Sequence, residues 1–331
     1  MSTYKEIRGT HITTVTSDPP APVNGQMWYN STDRVVKGVK KTLAGSWASG
    51  GTLNTSPGRF QLGGAGIQTA ALAFGGGTQW PGVGVTANTE TYNGSSWTEV
   101  NNLNTARRNL TGLGLQTAAL GFGGGPPAKD INESWNGSSW TEVADLNTAK
   151  DNNPGGTGTQ TAGIAFGGEG APGAVTATCE TWNGSAWTEV GDLNNARMTV
   201  AAAGTSTSAL AFGGAPSPLG AYTESWNGSA WTEVSDLNTG SREGPGGFGA
   251  SNTSALCAGA SPGGNTEEWD GSSWTEVADI STAVSNTAPT QSGTTSLGAI
   301  FGGFTGPGIN PQRTTEEWTG PTSTTVTFTT S

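Results

Sequence analysis

The side chains that could do covalent or acid–base chemistry are few, and most of them recur on a period. One histidine, His11, stands for the whole chain. A Ser-His-Asp relay or an imidazole-bound copper centre therefore has almost nothing to build with. Two cysteines, Cys179 and Cys257, read as small buried strand residues rather than as a disulfide framework. Paired carboxylates could hydrolyse a glycoside. Yet Glu90, Glu133, Glu180, Glu224, Glu267 and Glu316 each stand two residues before an aromatic: Tyr92, Trp135, Trp182, Trp226, Trp269 and Trp318. Residues that return in this way belong to a frame. Asp270 and the acids of the Asp-Leu turns, Asp145, Asp192 and Asp236, offer calcium too few converging oxygens. The expectation is a non-enzyme with no catalytic residue, no metal and no cofactor.

The frame itself is a repeat, which decides the architecture before any local reading. The six aromatics follow one another at 43, 47, 44, 43 and 49 residues. Upstream of each, an apolar run closes on F-G-G at Phe74, Phe122, Phe166, Phe212 and Phe301, with Cys257 in the equivalent place of the remaining unit. Downstream, five units continue to a second Trp and Thr-Glu-Val, at Trp97, Trp140, Trp187, Trp231 and Trp274. The sixth does not, but a matching Gly-Ser-Trp occurs far upstream at Gly45 to Trp47. Each unit reads as four short strands, the first running from a basic residue through a Gly-rich segment, as in Arg107 to Gly114. The last two strands are joined by Asn-Gly or Asp-Gly, which predicts a tight hairpin turn at positive φ. Four antiparallel strands on such a period suit the blade of a β-propeller. Small residues fit the strands that converge near the axis, and the Trp residues fill the space between blades. Each buried Trp contributes on the order of 4–5 kcal/mol before entropy is set against it.

These residues resemble the kelch-repeat family. The likeness rests on the glycine doublet Gly123-Gly124, the aromatics Trp135 and Trp140, and the turn Leu146 to Ala149 ahead of Lys150, where other units place Arg107, Arg197 and Arg242. It spans about residues 45–320, with Val284 where the sixth unit should have Arg. The resemblance implies an all-β, six-bladed propeller over 45–331 whose last blade takes its outer strand from 45–53. The alternating tail Thr324 to Thr329 is a rival closing strand.

Composition limits the partners. Charged residues make 12% of the chain and the net charge is −11, so the surface is polar through Ser, Thr, Asn and Gly. A phosphate backbone needs clustered Lys and Arg, so nucleic acid is not an expected partner. No apolar run reaches 18 residues, so membrane insertion is not expected, and the start lacks the apolar core of a signal peptide.

Residues 1–44 fall outside the repeat. Ser17 to Pro22 reads as a stiff linker, and Gly25 to Val39 as a hairpin around Asn-Ser-Thr-Asp. The stretch G-Q-M-W-Y-N-S-T is similar to the leading segment of tail-fibre and other virion structural proteins of tailed bacteriophages. That resemblance implies an attachment or oligomerisation segment that joins other virion proteins, many copies per particle, and a location on the virion surface at the tail after synthesis in the host cytoplasm.

The loop between the F-G-G strand and the Glu-x-Trp strand varies from 7 to 13 residues while the frame stays constant. A constant scaffold with one variable loop is how grafted recognition surfaces are built. Trp80, Lys129, Tyr222, Phe304 and Arg313 are the loop side chains able to stack on or hydrogen-bond a sugar. Arg59, Arg107, Lys150, Arg197 and Arg242 would form a basic ring that either holds an anionic glycan or pairs with the recurring glutamates. The expected function is recognition of a host surface glycan or protein. The alternatives are a structural decoration linking virion components and, further off, a glycan-processing enzyme.

Overall fold

The computed structural model describes residues 12–20, 26–41, 44–79, 84–240, 242–260, 263–305, 310–321 and 323–328. The chain divides into two compact units, Met1–Gly45 with Gly320–Ser331, and Ser46–Thr319.

In the smaller unit a hairpin of Met27–Asn30 and Val35–Lys41 carries Thr13–Val15 on one side, in parallel pairing, and Ser323–Phe328 on the other, antiparallel. The W-Y-N-S-T stretch forms because its polar groups have a common partner. Asp18 accepts hydrogen bonds from Trp28 Nε1 (3.0 Å) and Asn30 Nδ2 (2.8 Å) and pairs with Lys37 (2.9 Å). Asn30 in turn accepts from the Thr32 and Asp33 amides and closes the hairpin. Ser17 to Pro22 was expected only as a linker; its Asp18 is instead the node of this sheet.

The larger unit is all-β and holds six four-stranded antiparallel sheets among its described residues. Five follow the chain as simple meanders. The second, for example, runs Thr111–Leu115, Ala118–Phe122, Asn132–Trp135 and Trp140–Glu142. The first begins with Gly63–Ile67, the third with Gly155–Thr159, the fourth with Ala201–Thr205 and the fifth with Gly246–Ser251. The sixth joins Ala288–Pro289, Leu297–Phe301 and Thr315–Thr319 to Ser46–Ser49, so that Trp47 pairs with Trp318 as Trp140 pairs with Trp135.

Two sequence expectations change in detail. The first strand starts at Thr111 rather than Arg107, because Arg108 bridges to Gly125 and Asn109 turns to φ 61° before the ladder begins. The Asn-Gly connection is a four-residue loop, not a two-residue turn. Asn93 Oδ1 accepts from the Ser95 and Ser96 amides, and only Gly94 takes positive φ (88°). Asn is there for its side-chain acceptor, not for its backbone.

The sheets meet through repeated contacts. Phe74 meets Trp140 with ring centroids 4.7 Å apart, Phe122 meets Trp187, Phe166 meets Trp231 and Phe212 meets Trp274. Phe301 of the sixth sheet meets Trp97 of the first at 4.9 Å. Between the fifth and sixth the Phe slot falls on Ala258, which pairs with Thr266 as Phe74 pairs with Thr89. Cys257, expected there from the sequence, pairs with Glu267 and packs with Phe212 and Trp274 on the other face, and Trp47 packs edge-on against Phe248 of the neighbouring strand. The aromatic has moved one strand over, which explains why a small residue fits at 258. First strands approach nearly to backbone contact. A Cβ on Gly112 would lie 2.4 Å from the Gly64 carbonyl oxygen, and one on Gly64 would lie 2.4 Å from that of Pro289.

Candidate functional site

In five units the variable loop starts beside the residue that follows the basic position, or that follows Val284 in its place. Phe60 bridges to Gly77, Arg108 to Gly125, Asp151 to Glu169, Met198 to Ala215 and Ser285 to Phe304. Loops and turns therefore share a face of their sheets. Three loops fold on themselves as small hairpins, Gly77–Gln79 with Gly84–Val85, Glu169–Gly170 with Ala174–Val175, and Phe304–Thr305 with Asn310–Pro311. The loop of the fourth unit contains a 3-10 turn, Leu219–Ala221.

The five predicted loop residues have different fates. Trp80 lies outside the described residues. Lys129 is half-buried and its backbone bridges to Lys150. Tyr222 is half-buried, and its carbonyl oxygen accepts from Arg197 at 2.7 Å. Phe304 packs edge-on against Phe60, 5.9 Å between centroids, and Arg313 Nε donates to the Leu53 carbonyl. No hydrogen bond, ion pair or ring contact joins any two of these four. The hairpin of the third unit instead makes a groove of about 430 Å³ with the turn Asn147–Ala149, lined also by Gly170, Ala171 and Ala174–Thr176. Of its polar groups, Asn147 and the Thr148 amide are committed to Glu180, and the Thr176 hydroxyl donates to Thr178 Oγ1 (3.0 Å) and accepts from the Thr178 amide.

The basic residues are interior. Arg59, Arg107, Lys150 and Arg197 are fully buried and Arg242 nearly so. Arg59 pairs with Glu90 at 2.9 Å, Arg107 with Glu133, Arg197 with Glu224 at 3.0 Å and Arg242 with Glu267 at 3.2 Å. Of the two roles a basic ring could play, the guanidinium groups are committed to the glutamates. Burial lowers the pKa of Arg59 to about 10 against the pull of Glu90, and lowers those of Arg107 and Arg197 in the same way. Lys150 is also lowered by burial; its ammonium donates to the Thr178 carbonyl (2.8 Å) and hydroxyl (2.6 Å).

The glutamates do a second job. Glu133 accepts from the Asn104 amide (2.7 Å) and side chain (2.9 Å), gripping the turn that leads into its unit. Asn54 with Glu90, Asn147 with Glu180, Asn194 with Glu224 and Asn238 with Glu267 repeat the contact. The aspartates weighed as calcium ligands accept backbone amides instead: Asp145 from Asn132, Asp192 from Cys179 and Asp236 from Thr223. Cys179 and Cys257 are buried free thiols, pushed up by burial to about 12 and about 11.

Sequence reasoning passed over the residues one and two places after each basic position. Arg108 lies over the Phe60 ring at 5.9 Å. Asn109 Nδ2 donates to Asp151 at 2.7 Å, and Asn152 donates to Glu169. The signal was present: Asn109, Asn152 and Asn286 recur two residues after Arg107, Lys150 and Val284, and Asn tolerates the positive φ found there. No protein-family model and no curated protein matches the chain.

Proposed function

We propose that Ser46–Thr319 is a closed, six-bladed propeller of kelch type, and that the chain is a bacteriophage virion protein that displays it to recognise a host surface glycan or protein. Support for the ring comes from the run of first-strand neighbours, in which Gly63–Ile67 lies beside both Thr111–Leu115 and Ala288–Pro289. The first and sixth sheets also repeat the contacts made elsewhere between consecutive sheets. Trp97 Nε1 donates to Thr315 as Trp140 Nε1 donates to Thr89, and Gln68 donates to the Trp318 carbonyl as Gln116 does to that of Tyr92.

The observation that carries the recognition reading is the contrast between these uniform interfaces and the loops of unequal length and fold on one face. Internal ion pairs commit the arginines of the frame, and its exposed glutamates, Glu99, Glu142, Glu189, Glu233 and Glu276, recur unchanged, so the loops are where surface chemistry differs from unit to unit. Single sugar contacts are weak, and many copies on a particle would raise the effective concentration. Attachment through residues 1–44 rests on the W-Y-N-S-T resemblance alone.

The test is adsorption of the labelled, artificially multimerised full chain to candidate host cells. A variant with the loops at Trp80, Lys129 and Tyr222 trimmed to Gly-Ser is compared; Arg313 is left in place because it ties Leu53. Saturable binding that the variant loses while keeping its melting temperature is the expected result. If the wild type binds no cells, the recognition reading falls and the linking of virion components replaces it. Turnover of a polysaccharide with adsorption retained would instead point to an enzyme.

A further inference from the structure

The first strands surround a polar space whose oxygens lack partners. On its rim a backbone relay passes between units. The Asn109 amide donates to Gln61 O (2.8 Å), Asn153 to Asn109 O (3.0 Å), Thr199 to Asn152 O (2.8 Å), Asn286 to Gly244 O (2.7 Å) and Gln61 to Asn286 O (2.9 Å). Each of these donors sits at positive φ, between 49° and 61°, a conformation that costs a Thr or Gln free energy and needs a local reason. Inside the rim is a cavity of about 40 Å³. Four of its lining residues, Asn153, Thr199, Thr287 and Gln291, carry a buried side-chain oxygen with no hydrogen-bond partner. Thr199, Thr287 and Gln291 are more than nine-tenths buried. Gln61 Oε1, Asn109 Oδ1 and Asn286 Oδ1, on the rim itself, are in the same state.

Gln291 arrives there by an irregularity of the sixth unit. Between Ala288 and its ladder partner Phe301 the chain is longer than between Gly63 and Phe74. The extra length crosses to other sheets: the Ser292 amide donates to Gly66 O (3.0 Å) and its hydroxyl to Gly114 O (2.9 Å). Gln291 then lines both the 40 Å³ cavity and a second hollow of about 190 Å³ bounded by Gly158, Gly204 and Gly249. The crossing segment is a plug, and Gln291 is its polar tip.

A buried, unpaired amide oxygen costs on the order of 1–3 kcal/mol, so several around one space call for a shared donor or positive charge. We infer that this cavity binds one small hard cation, of the sodium, potassium or calcium class, through neutral amide and hydroxyl oxygens. Oxygen-only coordination is the preference of such ions. The cavity has room for an ion with a remnant of its water shell, and Asp151, hydrogen-bonded to Asn109, brings a carboxylate to the rim. Among the described residues no cluster of three His, Cys, Asp or Glu offers a site to a softer metal. The inference does not depend on the recognition reading.

The experiment is thermal unfolding of the full chain, freed of metal, in tetramethylammonium chloride, with sodium, potassium or calcium chloride replacing it at constant ionic strength. One of the three is expected to raise the melting temperature saturably by roughly 3–8 °C, the shift that linkage gives a unit of this size. T287V and Q291M keep shape and remove an oxygen, and each is expected to reduce that increment to about 1 °C or less. Equilibrium dialysis of the folded wild type with the radioactive ion is expected to give about one ion per chain, and decides the matter even where a variant fails to fold. Equal melting temperatures in all four salts with no stoichiometric ion would overturn the inference and leave the oxygens to water.

Discussion

The second sheet and the sixth are built from one repeat, yet their buried glutamates have different surroundings. Glu133 holds Arg107 and the Asn104 turn together, with donors on both oxygens. Glu316 is as deeply buried, but Val284 stands in the Arg place and Ser281 in the Asn place, and Oε2 has no partner. One hydroxyl, from Ser281, is what Glu316 accepts. The third sheet is intermediate, with Glu180 held by the Asn147 turn while Lys150 donates to Thr178. The ion pair is thus an addition to the grip on the turn and is not what makes the sheets pack. The sixth sheet draws instead on aromatic packing: Trp47, from a strand distant in sequence, lies against Trp318 at 5.3 Å and against Phe248.

This comparison can be broken most severely at Glu133. Glu133→Ala leaves the Arg107 guanidinium buried without a counter-charge and is expected to cost about 3–5 kcal/mol, read as a drop in the urea midpoint. Glu316→Gln removes a charge that has no cation beside it, and is expected to change stability by less than about 1 kcal/mol or to raise it. Equal losses from the two would show that the carboxylates have the same role. A second contrast is finer. Trp140 Nε1 donates to Thr89 at 3.0 Å, whereas Trp187 Nε1 has no partner. Both rings pack on a Phe, so Trp140→Phe is expected to cost about 1 kcal/mol more than Trp187→Phe, the worth of one hydrogen bond.

The smallest effect lies in the other unit. Hydrogen bonds from Asn30, Lys37 and Trp28 hold the Asp18 carboxyl at about 2, below its ordinary 3.8. A carboxylate lowered on folding stabilises above its unfolded pKa, and that contribution is lost as pH falls from 3.8 through about 2. The indole proton of Trp28 should report this as a chemical-shift change over that range, absent in Asp18→Asn.

Much of the frame was legible because strong local signals mark it. F-G-G, Glu-x-Trp and the second Trp bracket the strands at Ala118–Phe122, Asn132–Trp135 and Trp140–Glu142. Other features depend on partners that a linear reading cannot supply. Asn93 acts through its own side chain, Ala258 takes the Phe place because Phe248 fills the space, and Asp18 matters through residues up to 19 positions away. The candidate site was read least well. Repeating bases look like a surface ring until their burial beside the repeating acids is known, and the plug at Gln291 announces itself only as a longer stretch in one unit of six.

Amide hydrogen exchange across the sixth sheet is the most direct test of the ring on which the recognition proposal stands. The Gly50 amide donates to Thr315 O at 2.8 Å, just beyond the Ser46–Ser49 strand. The account predicts that Gly50 and the Thr315–Thr319 amides are protected together, and that both open at lower urea than Asn132–Trp135 because their sheet lacks the ion pair. Unprotected exchange at Gly50, with Thr315–Thr319 as slow as the second sheet, would contradict it.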